Sequence, residues 1–297
     1  MRRIHILEFE DLPWFPSWLR TCVTNNIVVL ARCLGVEHAL GALVSDALRR
    51  GGLSQIIDLG SGAGGVLPDT LAAIGRMAGA SEVSLLLSDK YPNDDAVKRF
   101  NGRAVMGVQY CEEPVDATKL EAAPAGLKTM VNCFHHMRPD QARAILRSAA
   151  DQREPLLIYE MGGHQTVSPL LWLLTLPVAL PVVFLTGMVM SAFVRPVTAK
   201  QLVFTYFIPV IPLFYAWDGW ASTPRIYVEE DLDELLEGLE KVGYSWEKGY
   251  GVSKKGSRLG TYLLGLPDDE SAAEAVGGEG PGSASSPTDA AADVVGA

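Results

Sequence analysis

A chain of 297 residues, 48% of them hydrophobic, can bury one large core with insertions or two small ones. Its formal net charge of −10 is unevenly placed: residues 267–297 hold seven acids (Asp268, Asp269, Glu270, Glu274, Glu279, Asp289, Asp293) and no Lys or Arg, leaving about −3 for the rest. That balance excludes a basic nucleic-acid footprint. Four cysteines (Cys22, Cys33, Cys111, Cys133) form no C-x-x-C pair, which points to reduced thiols in a domain facing the cytoplasm.

Glu8 and Glu10 interrupt the apolar start, so it does not read as a signal peptide. Residues 8–49 read as helical, with Trp14, Phe15 and Trp18 gathered around Pro13 and Pro16. The segment 1–49 is expected to form a helical lid, or else to cover the sheet edge or rest at a membrane interface.

Ile56-Ile57-Asp58-Leu59 is a short apolar run of the kind that forms a buried parallel strand, and Gly60-Ser61-Gly62-Ala63-Gly64-Gly65 follows it. Closely spaced glycines let backbone turn sharply and approach a ligand. A helix over residues 66–77 would aim its free N–H groups into the same crevice. Gly60, Gly62 and Gly65 also satisfy the G-x-G-x-x-G pattern of dinucleotide binding. Asp58 discriminates between the two, because a carboxylate beside a pyrophosphate is repelled whereas an ammonium and a sulfonium are attracted to it.

An acid two places before G-x-G-x-G resembles motif I of the class I S-adenosylmethionine-dependent methyltransferases. The resemblance implies an α/β, doubly wound, mostly parallel seven-stranded Rossmann-like sheet, with S-adenosylmethionine as cofactor. Asp58 and the turn Gly60, Ser61, Gly62 and Gly64 would hold its amino-acid end. A second strand over 83–88 ends at Asp89-Lys90, where a carboxylate suits ribose hydroxyls or caps the following turn. A third over 104–110 precedes Asp116-Ala117, which would meet the adenine.

A fourth strand over 128–133 brings Asn132 beside the cofactor and runs into Phe134-His135-His136-Met137-Arg138-Pro139. Either His is a candidate general base, or the pair anchors the loop through backbone bonds. No third metal ligand is apparent in the sequence, so no metal site is expected. A helix over 140–150 leads to a fifth strand, 156–159, with Glu160 at its tip as a further candidate for proton abstraction.

Residues 161–194 contain no Asp, Glu, Lys or Arg, and 202–217 is a second uncharged stretch. A run of this length nominates a membrane helix, yet Pro177, Pro181 and Gly187 interrupt it. The region 161–227 fits a single span, a shallow re-entrant hairpin or a buried dimerisation arm. A hairpin in or against the bilayer is expected, because the sheet still needs the chain beyond residue 228. That places the protein at the cytoplasmic face of a bacterial membrane, or else in the cytoplasm. The amphipathic stretch 228–239 reads as a helix. Strands over 244–250 and 260–266 read as an antiparallel hairpin, an addition typical of the same superfamily.

The methyltransferase pattern thus covers 50–160 and 228–266. More narrowly, Glu10-Asp11-Leu12-Pro13-Trp14-Phe15-Pro16, Phe134–Pro139 and Trp217-Asp218-Gly219 resemble a bacterial group within the superfamily. In related sequences a Cys-Leu-Arg segment follows W-D-G; here Thr223-Pro224-Arg225 stands there, so no catalytic thiol is expected. The resemblance implies methyl transfer but names no substrate; a small, lipophilic acceptor is the expectation, and a non-catalytic membrane adaptor or an NAD-dependent oxidoreductase are the rivals. Residues 267–297, rich in Ala, Gly, Ser and Pro, read as a disordered acidic tail.

Overall fold

The computed structural model describes residues 1, 3–76, 82–102, 107–162 and 169–268. The fold is that of the unit Met1–Pro267. Of the expected tail, residues 269–297 lie outside the described residues, as do residues 104–106 of the expected third strand and Met77 of the expected helix.

Seven strands form one sheet: β1 (Gln55–Leu59), β2 (Ser84–Ser88), β3 (Val108–Tyr110), β4 (Leu127–Val131), β5 (Leu156–Glu160), β6 (Tyr244–Val252) and β7 (Arg258–Pro267). Their order is β3-β2-β1-β4-β5-β7-β6, parallel through β5, with β7 antiparallel to both β5 and β6. The reversal between β1 and β4 splays the connections apart at the carboxyl ends of the strands, where open α/β sheets bind ligands.

Adjacent side chains on each strand face opposite layers, as pleating requires. Ile56, Leu157 and Leu264 pack with α2 (Val36–Arg50), α3 (Leu67–Ile74) and α4 (Asp94–Gly102). Their neighbours Ile57, Ile158 and Leu263 pack with α5 (Pro139–Gln152) and α10 (Glu229–Leu236). Both faces are therefore covered, which is why the central strands read as continuous apolar runs.

The N-terminal region is not one helix. A 3-10 turn at Phe9–Asp11 precedes α1 (Ser17–Leu34), which ends at Gly35 with φ +75° before α2 begins. The left-handed conformation that glycine tolerates stops the first helix and redirects the second through 84°.

The hydrophobic segment forms α6 (Pro169–Leu174), α7 (Leu176–Phe193), α8 (Ala199–Leu202) with a π turn at Val203–Phe207, and α9 (Val210–Ser222). It packs on α1 and the turn before it: Phe15, Leu19, Cys22 and Val23 cluster with Ile211 and Tyr215. A buried polar knot fixes the contact. Asn26 donates to the Gly187 carbonyl at 3.2 Å, while Ser191 and Gln201 donate to Asn26 Oδ1 at 3.0 and 3.2 Å. A Cβ on Gly187 would lie 2.9 Å from Tyr215, so the close approach of α7 and α9 depends on that glycine.

Candidate active site

The glycine turn leaves the end of β1 with positive φ at Gly60 (+81°), Gly62 (+51°), Gly64 (+109°) and Gly65 (+53°). Its first N–H groups, those of Gly60 and Ser61, bond the Ser88 carbonyl at 3.0 and 2.9 Å, clamping the turn to the end of β2. At Gly62 and Gly65 an added Cβ would meet nothing within 4 Å, so bare backbone faces open space there. The following helix is shorter than expected at both ends.

Asp58 occupies a different place from the one expected. Its carboxylate is 4% exposed and turned into the protein, taking hydrogen bonds from Ser61 Oγ at 2.6 Å and Thr129 Oγ1 at 2.9 Å. Burial pushes its pKa up to about 7 despite those two bonds. The correction is that Asp58 braces the turn from beneath and does not lie open to a cation. Two hydroxyl donors within reach explain why the side chain folds inward.

Asp89, at the tip of β2, accepts from the Gly62 N–H at 2.9 Å and the Tyr91 N–H at 2.8 Å. The capping alternative is thus realised, and the same carboxylate is bonded to the glycine turn. Each oxygen keeps a further lone pair for a hydroxyl donor. Burial raises its pKa, opposed by those backbone bonds and by the charges of Arg20 and His136.

Lys90 and Asp116, both expected at the cofactor, pair with each other at 2.8 Å near the surface. Asp116 also takes the Thr118 N–H and hydroxyl at 3.0 and 2.7 Å, and Lys90 foremost holds its pKa down at about 2. These bonds fix the turn carrying Ala117, whose side chain packs against the α5 face of the core. Asn132 adopts φ +54° and accepts from the Met161 N–H at 2.6 Å, tying the ends of β4 and β5 together.

The imidazoles anchor through carboxylates. Glu160 accepts from the His135 backbone N–H at 2.9 Å and meets His135 Nδ1 at 2.8 Å. His136 Nδ1 meets Asp11 at 2.7 Å, and the two rings lie 4.2 Å apart, inclined by 33°. With both Nδ1 atoms facing carboxylates, both Nε2 atoms are left as the basic positions.

Sequence reasoning missed what completes this cluster. The N-terminal segment, through the 3-10 turn Phe9–Asp11, brings Glu8 and Asp11 to His136. Arg225, fully buried, pairs with both at 2.7 Å, while Asp218 accepts the Phe9 and Glu10 N–H groups at 2.8 and 3.1 Å. Arg225 and Asp218, at the end of the hydrophobic segment, thus hold Glu8 and the turn Phe9–Asp11 beside the histidines. Burial pushes Glu8 up to about 7 and Glu10 to about 8. The spacing E-x-x-D ahead of the aromatic segment was the available signal; nothing local pairs it with residues two hundred positions away.

No protein-family model matches the chain, and no curated protein does. Solved structures with similar folds include an O-methyltransferase from neocarzinostatin biosynthesis, NcsB1, in complex with S-adenosyl-L-homocysteine and 1,4-dihydroxy-2-naphthoic acid. It is 16% identical, with a TM-score of 0.40 over 77% of this chain and 57% of that one. The mitomycin 7-O-methyltransferase MmcR is 16% identical, with a TM-score of 0.41 over 87% and 70% of the two chains. The methyltransferase domain of bacterial CtHen1 is 11% identical, with a TM-score of 0.42 over 77% and 97%. This chain thus spans little more than half the length of NcsB1. By its strand order and its closing antiparallel hairpin, the chain has the class I S-adenosylmethionine-dependent methyltransferase fold.

Proposed function

We propose that the protein transfers the sulfonium methyl of S-adenosylmethionine to a nucleophilic atom of a small lipophilic acceptor. One observation carries this reading: the open glycine turn, Asp89 and the paired imidazoles follow the carboxyl ends of three neighbouring strands, β1, β2 and β4. The cofactor supplies an electrophilic methyl group, and displacement needs chiefly correct positioning. Gly62 and Gly65 offer bare backbone to it. Asp89 receives ribose hydroxyls on its remaining lone pairs, and Asp58 keeps the turn in shape.

Where the acceptor must lose a proton, Nε2 of His135 takes it. Glu160 fixes the Nδ1–H tautomer and stabilises the imidazolium that forms. His136 with Asp11 repeats the arrangement closer to solvent.

The lipophilic acceptor and attachment to a membrane rest on the outer face of α7. Val178, Val182, Leu185, Val189 and Phe193 recur at helical spacing, each more than half exposed, with Leu170, Leu174 and Phe207 beside them. Among the described residues α7 is also the helix long and apolar enough to cross a membrane, and 11% of it is buried. We read this face as lying against the cytoplasmic leaflet, because α1 occupies the other side. Calorimetric titration with S-adenosylmethionine, S-adenosylhomocysteine and NAD tests the central claim: micromolar binding of the first two supports it, and binding of NAD alone overturns it. Labelled-methyl incorporation into lipid extracts separates the enzyme from a non-catalytic adaptor.

A further inference from the structure

We propose that Glu8, His135 and His136 form a binding site for one divalent transition-metal ion. One donor atom from each lies within 4.8 Å of the other two. Tetrahedral ligands with bonds of 2.0–2.2 Å stand roughly 3.4 Å apart, so side-chain rotations of about an ångström close the set. Two imidazole nitrogens and one carboxylate oxygen suit zinc, cobalt, nickel or ferrous iron, and leave coordination positions open.

The independent observation is the outer layer. Metal-binding imidazoles commonly hold their second nitrogen against a carboxylate. Here each does so separately, His135 Nδ1 on Glu160 at 2.8 Å and His136 Nδ1 on Asp11 at 2.7 Å. A His pair kept only for packing needs no such duplication. Arg225 takes Glu8 Oε1 and Asp11 Oδ2, leaving Glu8 Oε2 on the histidine side, 3.6 Å from His136 Nδ1.

Charge points the same way. Arg225 pairs with Glu8 and Asp11, and Glu160 with His135, so carboxylate and imidazole donors converge on one mostly buried place where a dication is accommodated without charging either ring. Sequence spacing hides the site, since Glu8 stands more than a hundred residues before the histidines.

A lone pair given to an ion is not free for a proton, so ion and proton are alternatives at each imidazole. Metal binding is nevertheless separate from the methyl-transfer reading and can be measured without cofactor or acceptor. Tag-free full-length protein is stripped with chelator and titrated with Co2+ and Cu2+. One ion per chain is expected, with two nitrogen couplings in the Cu2+ electron paramagnetic resonance spectrum. H136A is expected to leave one nitrogen coupling. E8Q is expected to weaken Co2+ at least a hundredfold, and D11N to weaken it about 10–100-fold. Circular dichroism checks that each variant is folded; His136, the most exposed of the three, keeps the test usable if E8Q is not. Absence of stoichiometric Co2+, or two nitrogen couplings persisting in folded H136A, overturns the proposal.

Discussion

Glu160 receives two hydrogen bonds from His135, one from its backbone N–H at 2.9 Å and one at Nδ1 at 2.8 Å. A single carboxylate at the end of β5 thus fixes both the position and the tautomer of a side chain at the end of β4. The bond pair spans neighbouring parallel strands, so sheet register sets its geometry.

Replacing that carboxylate by an amide separates charge from shape. E160Q still accepts the backbone N–H but no longer stabilises an imidazolium. Labelled-methyl transfer is expected to fall by about 10²–10⁴ where the acceptor must lose a proton. Calorimetry should show S-adenosylmethionine affinity unchanged within a few-fold. Loss of a charge-assisted buried bond should cost about 1.5–3 kcal/mol of stability in chemical denaturation.

Asp58 gives a pH-dependent expectation. Its pKa is raised by burial to about 7 in the folded chain, from an ordinary value of 3.8. Between those values the folded state binds the extra proton. The group's contribution to stability is therefore fully present below about pH 4 and is lost as pH rises through 7. D58N removes this dependence. Subtracting its denaturation profile from that of wild type across pH 5–8 should leave a component falling toward high pH. A flat difference would mean that Asp58 is ionised in the fold throughout.

Two glycines of one turn should answer differently to alanine. A Cβ on Gly64 would sit 2.5 Å from Phe100 at φ +109°, so G64A should cost roughly 2–5 kcal/mol through strain and overpacking. On Gly62 it meets nothing within 4 Å at φ +51°, so G62A should cost about 1–2 kcal/mol. Only the latter intrudes on open space, and it should weaken S-adenosylmethionine tenfold or more by calorimetry while the protein stays folded. Equal affinity in G62A would place the cofactor elsewhere.

The central strands β1, β4 and β5 were legible because both of their faces are covered, so each reads as a short apolar run. The division between the two N-terminal helices was less so, since Gly35 ends α1 by its left-handed backbone conformation and not by a change in hydrophobicity. Asp89, His135 and His136, expected just beyond strands, and Glu160, expected at a strand tip, stand at those places because strand ends can be read from where an apolar run stops. Asp58 was assigned the wrong direction: the sequence shows that an acid precedes the turn, but not that Thr129 on the next strand supplies a donor. Glu8, Asp11 and their bonds to Arg225 and His136 depend on where a lid comes to rest, which no local pattern encodes.

The outer face of α7 gives the last expectation. Val182 and Leu185 are 57% and 59% exposed and lie on the side away from the Asn26–Ser191 knot. Acidic residues there should leave the fold intact, because neither side chain fills the core. Burying each in a bilayer is worth about 1.5–3 kcal/mol, so V182D/L185E should lower partitioning onto anionic vesicles a hundredfold or more in flotation. The same variant should bind S-adenosylmethionine as wild type does, since α7 does not carry the glycine turn, Asp89 or the imidazoles. A double variant that floats unchanged would turn the stripe into a protein-facing surface. Sedimentation would then show wild type as a larger species that V182D/L185E reduces to single chains.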